Sequence, residues 1–176
     1  MRAEGTPSGS KSAAALRALV ERVETALADV EVERFAHRER PGGWSATELL
    51  GHLVDSASNN HQRFVRAAFV DHLDFPGYDQ DEWVRLQAYG SADPRELLAL
   101  FAAFNRHIAH VLGSLPSDVL ERPRAHHALD RIAFERRPAD EPVTLAWFAS
   151  DYVVHLRHHL VVLGRILGRE DLVRDA

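Results

Sequence analysis

Two histidines, His155 and His159, stand four residues apart in a segment whose apolar residues repeat at helical spacing. Side chains at this spacing leave the same face of a helix on successive turns. The stripe that carries them is otherwise apolar or aromatic and reads Leu145, Phe148, Tyr152, Val162 and Ile166. Burying an imidazole without partners costs on the order of 1–3 kcal/mol, and a divalent cation shared by both rings relieves that cost. The spacing also occurs in helical zinc sites, and a hydrogen-bonded pair of core histidines is the alternative.

A third ligand would decide between these alternatives, and His52 is the candidate. It lies in a second predicted helix, where it directly precedes the core position Leu53. His155 and His159 each directly precede a core leucine in the same way. Both helices therefore carry histidines beside their packing seams, where two neighbouring helices can enclose a cavity. Taken alone, His52 could instead be a boundary histidine paired with Glu48 one turn earlier.

Polar groups on the histidine-bearing face could hold a substrate. Arg63 is the best anchor for an anionic group because it shares the stripe of His52, and Arg66 is a weaker second choice. Asn59 adds an amide suited to a polar ligand on the same stripe. The alternative for Arg63 is an ordinary salt bridge.

Three carboxylates and a tyrosine could support the histidines. The carboxylates could accept hydrogen bonds from imidazole N–H groups or simply be solvated, and they are Glu48, Asp55 and Asp151. Tyr152 lies one turn before His155 and could donate its hydroxyl to a ligand, or be an aromatic residue of the core. His158 lies about 60° from the midpoint of the face formed by the histidine pair, and its use as a ligand is the main alternative to the assigned triad.

Four long helices must position these residues. Apolar periodicity predicts them over about 12–30, 45–70, 93–115 and 142–168, with a short helix over 81–86. Ser45 and Glu48 predict a capping box at the second, and Asp93-Pro94 predicts the start of the third. Residues 123–142 read as a loop, and a flexible tail over 1–12 precedes a domain over 13–170. We therefore predict an all-α four-helix bundle with long crossover loops.

Composition excludes several classes of function. The 176 residues include 11 histidines, about one in sixteen, but no cysteine, which excludes disulfides, thiolate metal sites and a cysteine nucleophile. The net charge is −5 with both signs mixed along the chain, so a nucleic-acid partner is not expected. The chain has neither an apolar run long enough to span a membrane nor an N-terminal signal peptide, and we expect a cytoplasmic protein without a membrane partner.

Three motifs in the chain resemble one known family. Residues 41–45 read Pro-Gly-Gly-Trp-Ser, and residues 48–56 continue with Glu-Leu-Leu-Gly-His-Leu-Val-Asp-Ser. Residues 78–83 read Tyr-Asp-Gln-Asp-Glu-Trp, and residues 151–159 read Asp-Tyr-Val-Val-His-Leu-Arg-His-His. In this order the motifs resemble the DinB-like superfamily, in the subgroup of bacillithiol-transferase-like proteins that are also described as metal-dependent hydrolases. The resemblance covers about residues 35–165.

The resemblance implies an up-down-down-up four-helix bundle that is usually a homodimer. It also implies one divalent metal ion, zinc or nickel, on three histidines, which carry over onto His52, His155 and His159. The chain departs from close members of the family between residues 126 and 141, where it begins His-His-Ala-Leu-Asp instead of a His-Pro-Glu-type segment. The departure concerns the identity of the substrate and leaves the predicted metal ligands unchanged.

Such a centre predicts chemistry on a small-molecule substrate. Three neutral imidazoles leave the full charge of the metal and an open position, which could hold a low-molecular-weight thiol as its thiolate. We therefore expect transfer of such a thiol to an electrophile. One alternative is a hydrolase that uses metal-bound hydroxide, because a bound water can have its pKa lowered toward about 7. Another is a non-catalytic, metal-binding stress-response bundle.

Overall fold

The structure is a computed structural model that describes residues 8–172, and this part of the chain is helical without β-strands. The α-helices are α1 (Ser8–Leu27), α2 (Ala46–Arg66), α3 (Gln80–Leu86), α4 (Pro94–Ser114), α5 (Ser117–Glu121), α6 (Leu129–Ile132) and α7 (Leu145–Leu167). Short 3-10 helices cover Val32–Ala36, Tyr89–Ser91 and Glu170–Leu172. Among the described residues, no helix has both the length and the apolarity needed to cross a membrane.

The predicted helix starts at Ser45 and Asp93 are confirmed. The Ser45 hydroxyl accepts a hydrogen bond from the backbone N–H of Glu48, and the Glu48 carboxylate accepts one from the backbone N–H of Ser45. The Asp93 carboxylate accepts from the backbone N–H of Arg95, and Pro94 occupies the first turn of α4. Both caps satisfy backbone donors that a helix leaves without partners at its first turn.

Other helix ends differ from the predicted ones. α2 ends at Arg66 and not near Val70, because the buried Arg124 donates from its guanidinium to the carbonyl of Ala67 at 3.0 Å. α7 begins at Leu145 and not at 142, because Val143 is still extended and bridged to Arg124 while the Thr144 hydroxyl caps the helix.

Two segments predicted as non-helical contain helix. The predicted loop over 123–142 contains α6. Before this loop, the short helix α5 follows directly after Pro116, in a stretch for which no element was predicted. α1 begins at Ser8, so residues 8–12 of the predicted tail are helical. Residues 1–7 of that tail, and the C-terminal residues 173–176, lie outside the described residues.

The four long helices form a ring in which α1 and α2 each pack on both α4 and α7. Arg95, in the first turn of α4, donates to the carbonyl of Leu27 at the end of α1. The start of α4 therefore lies beside the end of α1, and these two helices are antiparallel.

α7 runs in the same direction as α1, and α2 runs opposite to both. Arg169, just after α7, pairs with Asp29, just after α1, at 2.6 Å. Arg165, near the end of α7, pairs at 3.0 Å with Glu39, which precedes α2. The directions are therefore up, down, down and up for α1, α2, α4 and α7, and the predicted four-helix bundle is confirmed.

The core of the bundle follows the predicted apolar seams. The seam of α7 is buried along its whole length and consists of Ala146, Ala149, Val153, Leu156, Leu160, Leu163 and Leu167. Since α2 and α7 are antiparallel neighbours, a residue near the start of α2 faces the second half of α7. This arrangement brings His52 opposite the histidine pair of α7.

Gly51 allows α2 to pack against the ring of Tyr89 directly beside His52. A β-carbon at position 51 would lie 2.2 Å from Cγ of Tyr89. We expect Gly51→Ala to lower the free energy of unfolding by about 1–3 kcal/mol, because ring or helix must shift to make room. Urea denaturation measures the change.

Gly113→Ala in α4 is the matched control. There the nearest atom to an added β-carbon is Cβ of Ala13 at 3.8 Å, an ordinary contact. Because alanine favours helix over glycine, this variant should be neutral or more stable by up to about 1 kcal/mol. Equal destabilisation by the two substitutions would contradict the packing explanation.

Candidate metal centre

Three histidine rings meet where α2 faces α7. The ring centroid of His52 lies 5.5 Å from that of His155 and 4.8 Å from that of His159, and the latter two centroids are 4.5 Å apart. Each ring offers one nitrogen such that the three nitrogens lie within 4.8 Å of one another. The structure thus brings together the three residues assigned from the sequence, and their role as metal ligands stays a prediction.

His52 is the most constrained of the three. Its side chain is 0% exposed, and neither Nδ1 nor Nε2 has a hydrogen-bond partner among the described residues. The ring of Trp44 covers it at 4.9 Å between centroids. A buried imidazole without partners is costly, and a metal ion shared with His155 and His159 would supply a partner. The donor set therefore fits a divalent metal ion.

Burial keeps the three imidazoles neutral. It lowers the pKa of His52 to about 3, with a smaller contribution from the charge of His159. Burial, followed by the neighbouring histidines, lowers the pKa of His155 to about 2. Burial and then the charge of His158 lower the pKa of His159 to about 4. At neutral pH each ring therefore has a free lone pair, which is the form that binds a metal.

Ser56 is a supporting residue that our sequence reasoning missed. Its hydroxyl lies 3.4 Å from Nδ1 of His155, which leaves Nε2 of that ring available to a metal. Tyr78 bonds in turn to Ser56, and burial raises the pKa of this tyrosine well above its ordinary value. The signal was present, since Ser56 lies one helical turn after His52 on the same stripe.

The predicted role of Glu48 and Asp55 as acceptors for histidine N–H groups is corrected. Glu48 closes the cap of α2 and pairs with Arg38 at 2.7 Å. Asp55 accepts the hydroxyl of Tyr89 at 2.7 Å and the amide of Gln87 at 2.8 Å. Both carboxylates hold helix ends and connecting segments and make no hydrogen bond to the histidines.

Asp151 also makes its hydrogen bonds to groups other than the histidines, and Tyr152 belongs to the core. The Asp151 carboxylate accepts from the backbone N–H groups of Phe134 at 2.9 Å and Glu135 at 2.7 Å. It therefore fixes the loop before α7 against that helix. The Tyr152 hydroxyl donates to Asn105 at 2.6 Å, so its alternative assignment as an aromatic core residue is the one that the structure supports.

The predicted substrate-holding residues divide into two groups. Arg63 is buried, donates to the carbonyl of Pro76 at 2.8 Å, and lines a pocket of about 280 Å³ that opens onto His155. Asn59 instead donates to the carbonyl of Asp55 at 2.9 Å. Arg66 is exposed and bonds to Gln62 outside this pocket, which removes it as an anchor.

His158 lies beside the cluster and not in it. It is exposed, and its ring contacts those of His159 and Phe134 at 5.2 and 5.0 Å between centroids. Phe134 also lies 5.6 Å from His155 and covers it from the loop before α7. Nothing in the sequence pattern places Phe134 here, because its segment has no periodicity.

The protein is therefore an up-down-down-up helical bundle with a candidate metal centre formed by three histidines, of which His52 is fully buried. The chain belongs to the DinB superfamily, whose family model matches residues 15–163. The family resemblance deduced from the motifs is thereby confirmed.

Two relatives have names that refer to metal-dependent chemistry. The chain is 25% identical over 150 residues to the protein named "Putative metal-dependent hydrolase OB0782" of Oceanobacillus iheyensis, covering 85% of this chain and 80% of that one. It is 27% identical over 130 residues to "Putative metal-dependent hydrolase YfiT" of Bacillus subtilis, covering 74% and 67%. The solved YfiT structure, described as an unusual four-helix bundle, has a TM-score of 0.74 at 22% identity and covers 96% of this chain and 92% of its own. That structure supports the fold.

The depressed histidine pKa values predict acid sensitivity of the metal-free protein. Below the ordinary value of 6.5 the unfolded histidines bind protons that the folded ones resist, so stability is full above that pH and falls as the pH drops toward about 4. We expect His52→Leu to reduce this dependence by up to about 1.4 kcal/mol per pH unit. Urea denaturation in chelator, from about pH 7.5 to about pH 5, measures the slope.

His110→Leu serves as the control for this experiment. His110 is exposed on α4, away from the cluster, and its replacement should leave the slope as in the wild type. The same slope in the His52→Leu variant and the wild type would show that burial of this ring does not control the acid response.

Proposed function

We propose that the chain is a metal-dependent enzyme that transfers a low-molecular-weight thiol to an electrophilic small molecule. The observation that carries this proposal is His52, a fully buried imidazole whose two nitrogens lack partners beside two further neutral histidines. A buried polar group is normally hydrogen-bonded to protein or to an ordered water, and no protein group reaches either nitrogen among the described residues. The pocket onto His155 gives a small molecule access to the cluster.

His52, His155 and His159 would hold one divalent ion, zinc or nickel. Imidazole suits both metals, and neutral ligands leave the charge of the ion uncompensated. When bound, such an ion supplies a Lewis acid that lowers the pKa of a thiol or a water molecule in its open position.

The protein residues orient the thiol and exclude water. Arg63 supplies a buried guanidinium that has no carboxylate within ion-pair distance among the described residues, so it is available to an anionic group of the thiol. Ser56 and Tyr78 hold the ring of His155 on one side of the pocket. Phe134 covers the same ring and reduces its contact with water.

The transfer is a substitution whose atoms balance without a redox partner. With monochlorobimane as the electrophile, the thiol releases its proton to water and its sulfur forms a bond to the chloromethyl carbon. The carbon–chlorine bond breaks, and chloride leaves with the electron pair.

Hydrolysis at the same centre is the second candidate, favoured by the names of the relatives, which refer to metal-dependent hydrolases. A non-catalytic metal-binding bundle is the third. A fourth protein ligand that closed the coordination site would favour this candidate. The described residues bring three candidate ligands together, His52, His155 and His159. The small-molecule partner, the homodimer and the cytoplasmic location stay predictions.

Metal content tests the assigned ligands. We expect the purified protein to contain about one equivalent of zinc or nickel, and His52→Ala to lose most of it, because the remaining two imidazoles bind far more weakly. Elemental analysis measures the metal, and circular dichroism checks the fold. His158→Ala is the matched control and should retain the metal. Unchanged stoichiometric metal in His52→Ala would refute the triad.

A thiol assay tests the proposed reaction. Metal-loaded protein should accelerate the reaction of monochlorobimane with at least one of bacillithiol, mycothiol and glutathione, measured by fluorescence of the conjugate. Removal of the metal should abolish the acceleration, since the thiol is then no longer held as its thiolate. Absence of turnover with all three thiols would reject the transferase. Ester hydrolysis without thiol, rising through a pKa near neutrality, would support the hydrolase instead.

A further inference from the structure

The histidine cluster contributes to the lining of two pockets. His155 lines one pocket, of about 280 Å³, and His159 lines the other, of about 420 Å³. His52 is fully buried and lines neither. A small molecule in either pocket can therefore reach a different histidine of the same cluster.

The pocket at His155, here called the arginine pocket, is suited to an anion. Three guanidinium groups line it, from Arg63, Arg131 and Arg136, against one carboxylate, that of Asp151. That carboxylate accepts two backbone N–H groups, which occupies both of its oxygens.

The three arginines of this pocket are also only weakly neutralised. Arg63 is 7% exposed and donates only to neutral oxygens of Pro76 and Asn60. Arg136 has no ion pair with any described residue, and the pairs that Arg131 makes with Asp74 and Asp130 are long, at 3.5 and 3.8 Å. A buried, unpaired guanidinium together with two exposed ones is a strong attraction for carboxylate or phosphate oxygens.

The pocket at His159, here called the tryptophan pocket, is suited to a flatter and less polar molecule. Its walls include the apolar side chains of Trp44, Leu49, Val162 and Ile166. Trp44 also contacts the ring of His52, so the apolar wall reaches the cluster itself. The charged residues of this pocket are of both signs, with Arg40 opposed by Glu39 and Asp81.

We propose that the two pockets bind the two substrates, with the anionic thiol in the arginine pocket and an apolar electrophile in the tryptophan pocket. This inference rests on the proposed function and adds which pocket receives which molecule. The assignment follows from the charges of the walls, because the arginine pocket has three guanidinium groups to one carboxylate, whereas the tryptophan pocket has one guanidinium to two carboxylates. Since each pocket is lined by a different histidine of the cluster, both molecules can be bound beside it at once.

Binding of unreactive probes tests this arrangement independently of turnover. S-methylglutathione and S-methylbacillithiol keep the anionic groups of the thiols, but their methylated sulfur cannot become a thiolate. Their binding therefore reports on the charged wall of the arginine pocket. Tetramethylbimane reports on the tryptophan pocket. Calorimetry with metal-loaded protein measures the anionic probes, and fluorescence titration measures the bimane.

Variants of each pocket have matched controls on the same helix or with the same charge. We expect the double variant Arg131→Ala, Arg136→Ala to weaken binding of the anionic probes about tenfold or more and to leave the bimane unchanged. Arg66→Ala removes one exposed arginine outside the pocket and should change neither. Val162→Phe should weaken only the bimane, and Val161→Phe, which alters a neighbour outside the pocket, should not.

The outcomes separate this proposal from the proposed function. Two independent probe sites with opposite responses to the variants would support the two pockets even if no thiol turned over. Loss of both probes in the same variants, or no binding of either anionic probe to wild-type protein, would overturn it. Thiol transfer that persists with unchanged KM values for both substrates in all four variants would reject the two pockets and leave the transferase intact.

Discussion

The architecture of the site depends on one constraint, the burial of His52 without hydrogen-bond partners for its nitrogens. Such a ring is tolerable in a core only when another group satisfies it. The Trp44 ring covers it and the Tyr89 ring packs on the same helix at Gly51, and the side chain is closed off from bulk solvent. The available partner is therefore whatever binds between this ring and the two histidines of α7.

Asp55 and Asp151 make their hydrogen bonds to groups other than the three histidines, and this has an electrostatic consequence. Asp55 holds Tyr89, and Asp151 holds two backbone N–H groups of the loop before α7. Asp151 uses both oxygens and Asp55 uses Oδ1 for these bonds, and the group of candidate ligands that come together among the described residues consists of neutral imidazoles. A divalent ion bound by neutral ligands keeps its whole charge for an incoming thiol or water. The same carboxylates that the sequence suggested as supports of the histidines thus support the elements that carry them.

Helical periodicity predicted the helical bundle and the buried seam of α7, and together with the family resemblance it predicted the meeting of the α7 histidines with His52. These features repeat every three or four residues, and the pattern reflects burial directly. It could not predict that Phe134 contacts His155 or that Arg131 and Arg136 line the same pocket, since they come from a segment without periodicity. That segment is positioned by hydrogen bonds from its backbone to Asp151, and backbone groups carry no sequence signal. Ser56 was predictable, because it follows His52 by one turn.

The spacing of the histidine nitrogens and the charges that line the pockets come from different parts of the chain. The three histidines lie on α2 and α7, two of the four long helices that pack on one another, and this packing sets the distances between their nitrogens. Most charged groups that line the two pockets, among them Arg131, Arg136 and Arg40, are exposed and lie outside the four long helices. Substitutions in such segments cost little stability, whereas substitutions in a packed core cost several kcal/mol. Under the proposed function, the choice of substrate would therefore change by replacement of residues outside the long helices, while the three histidines stay the same.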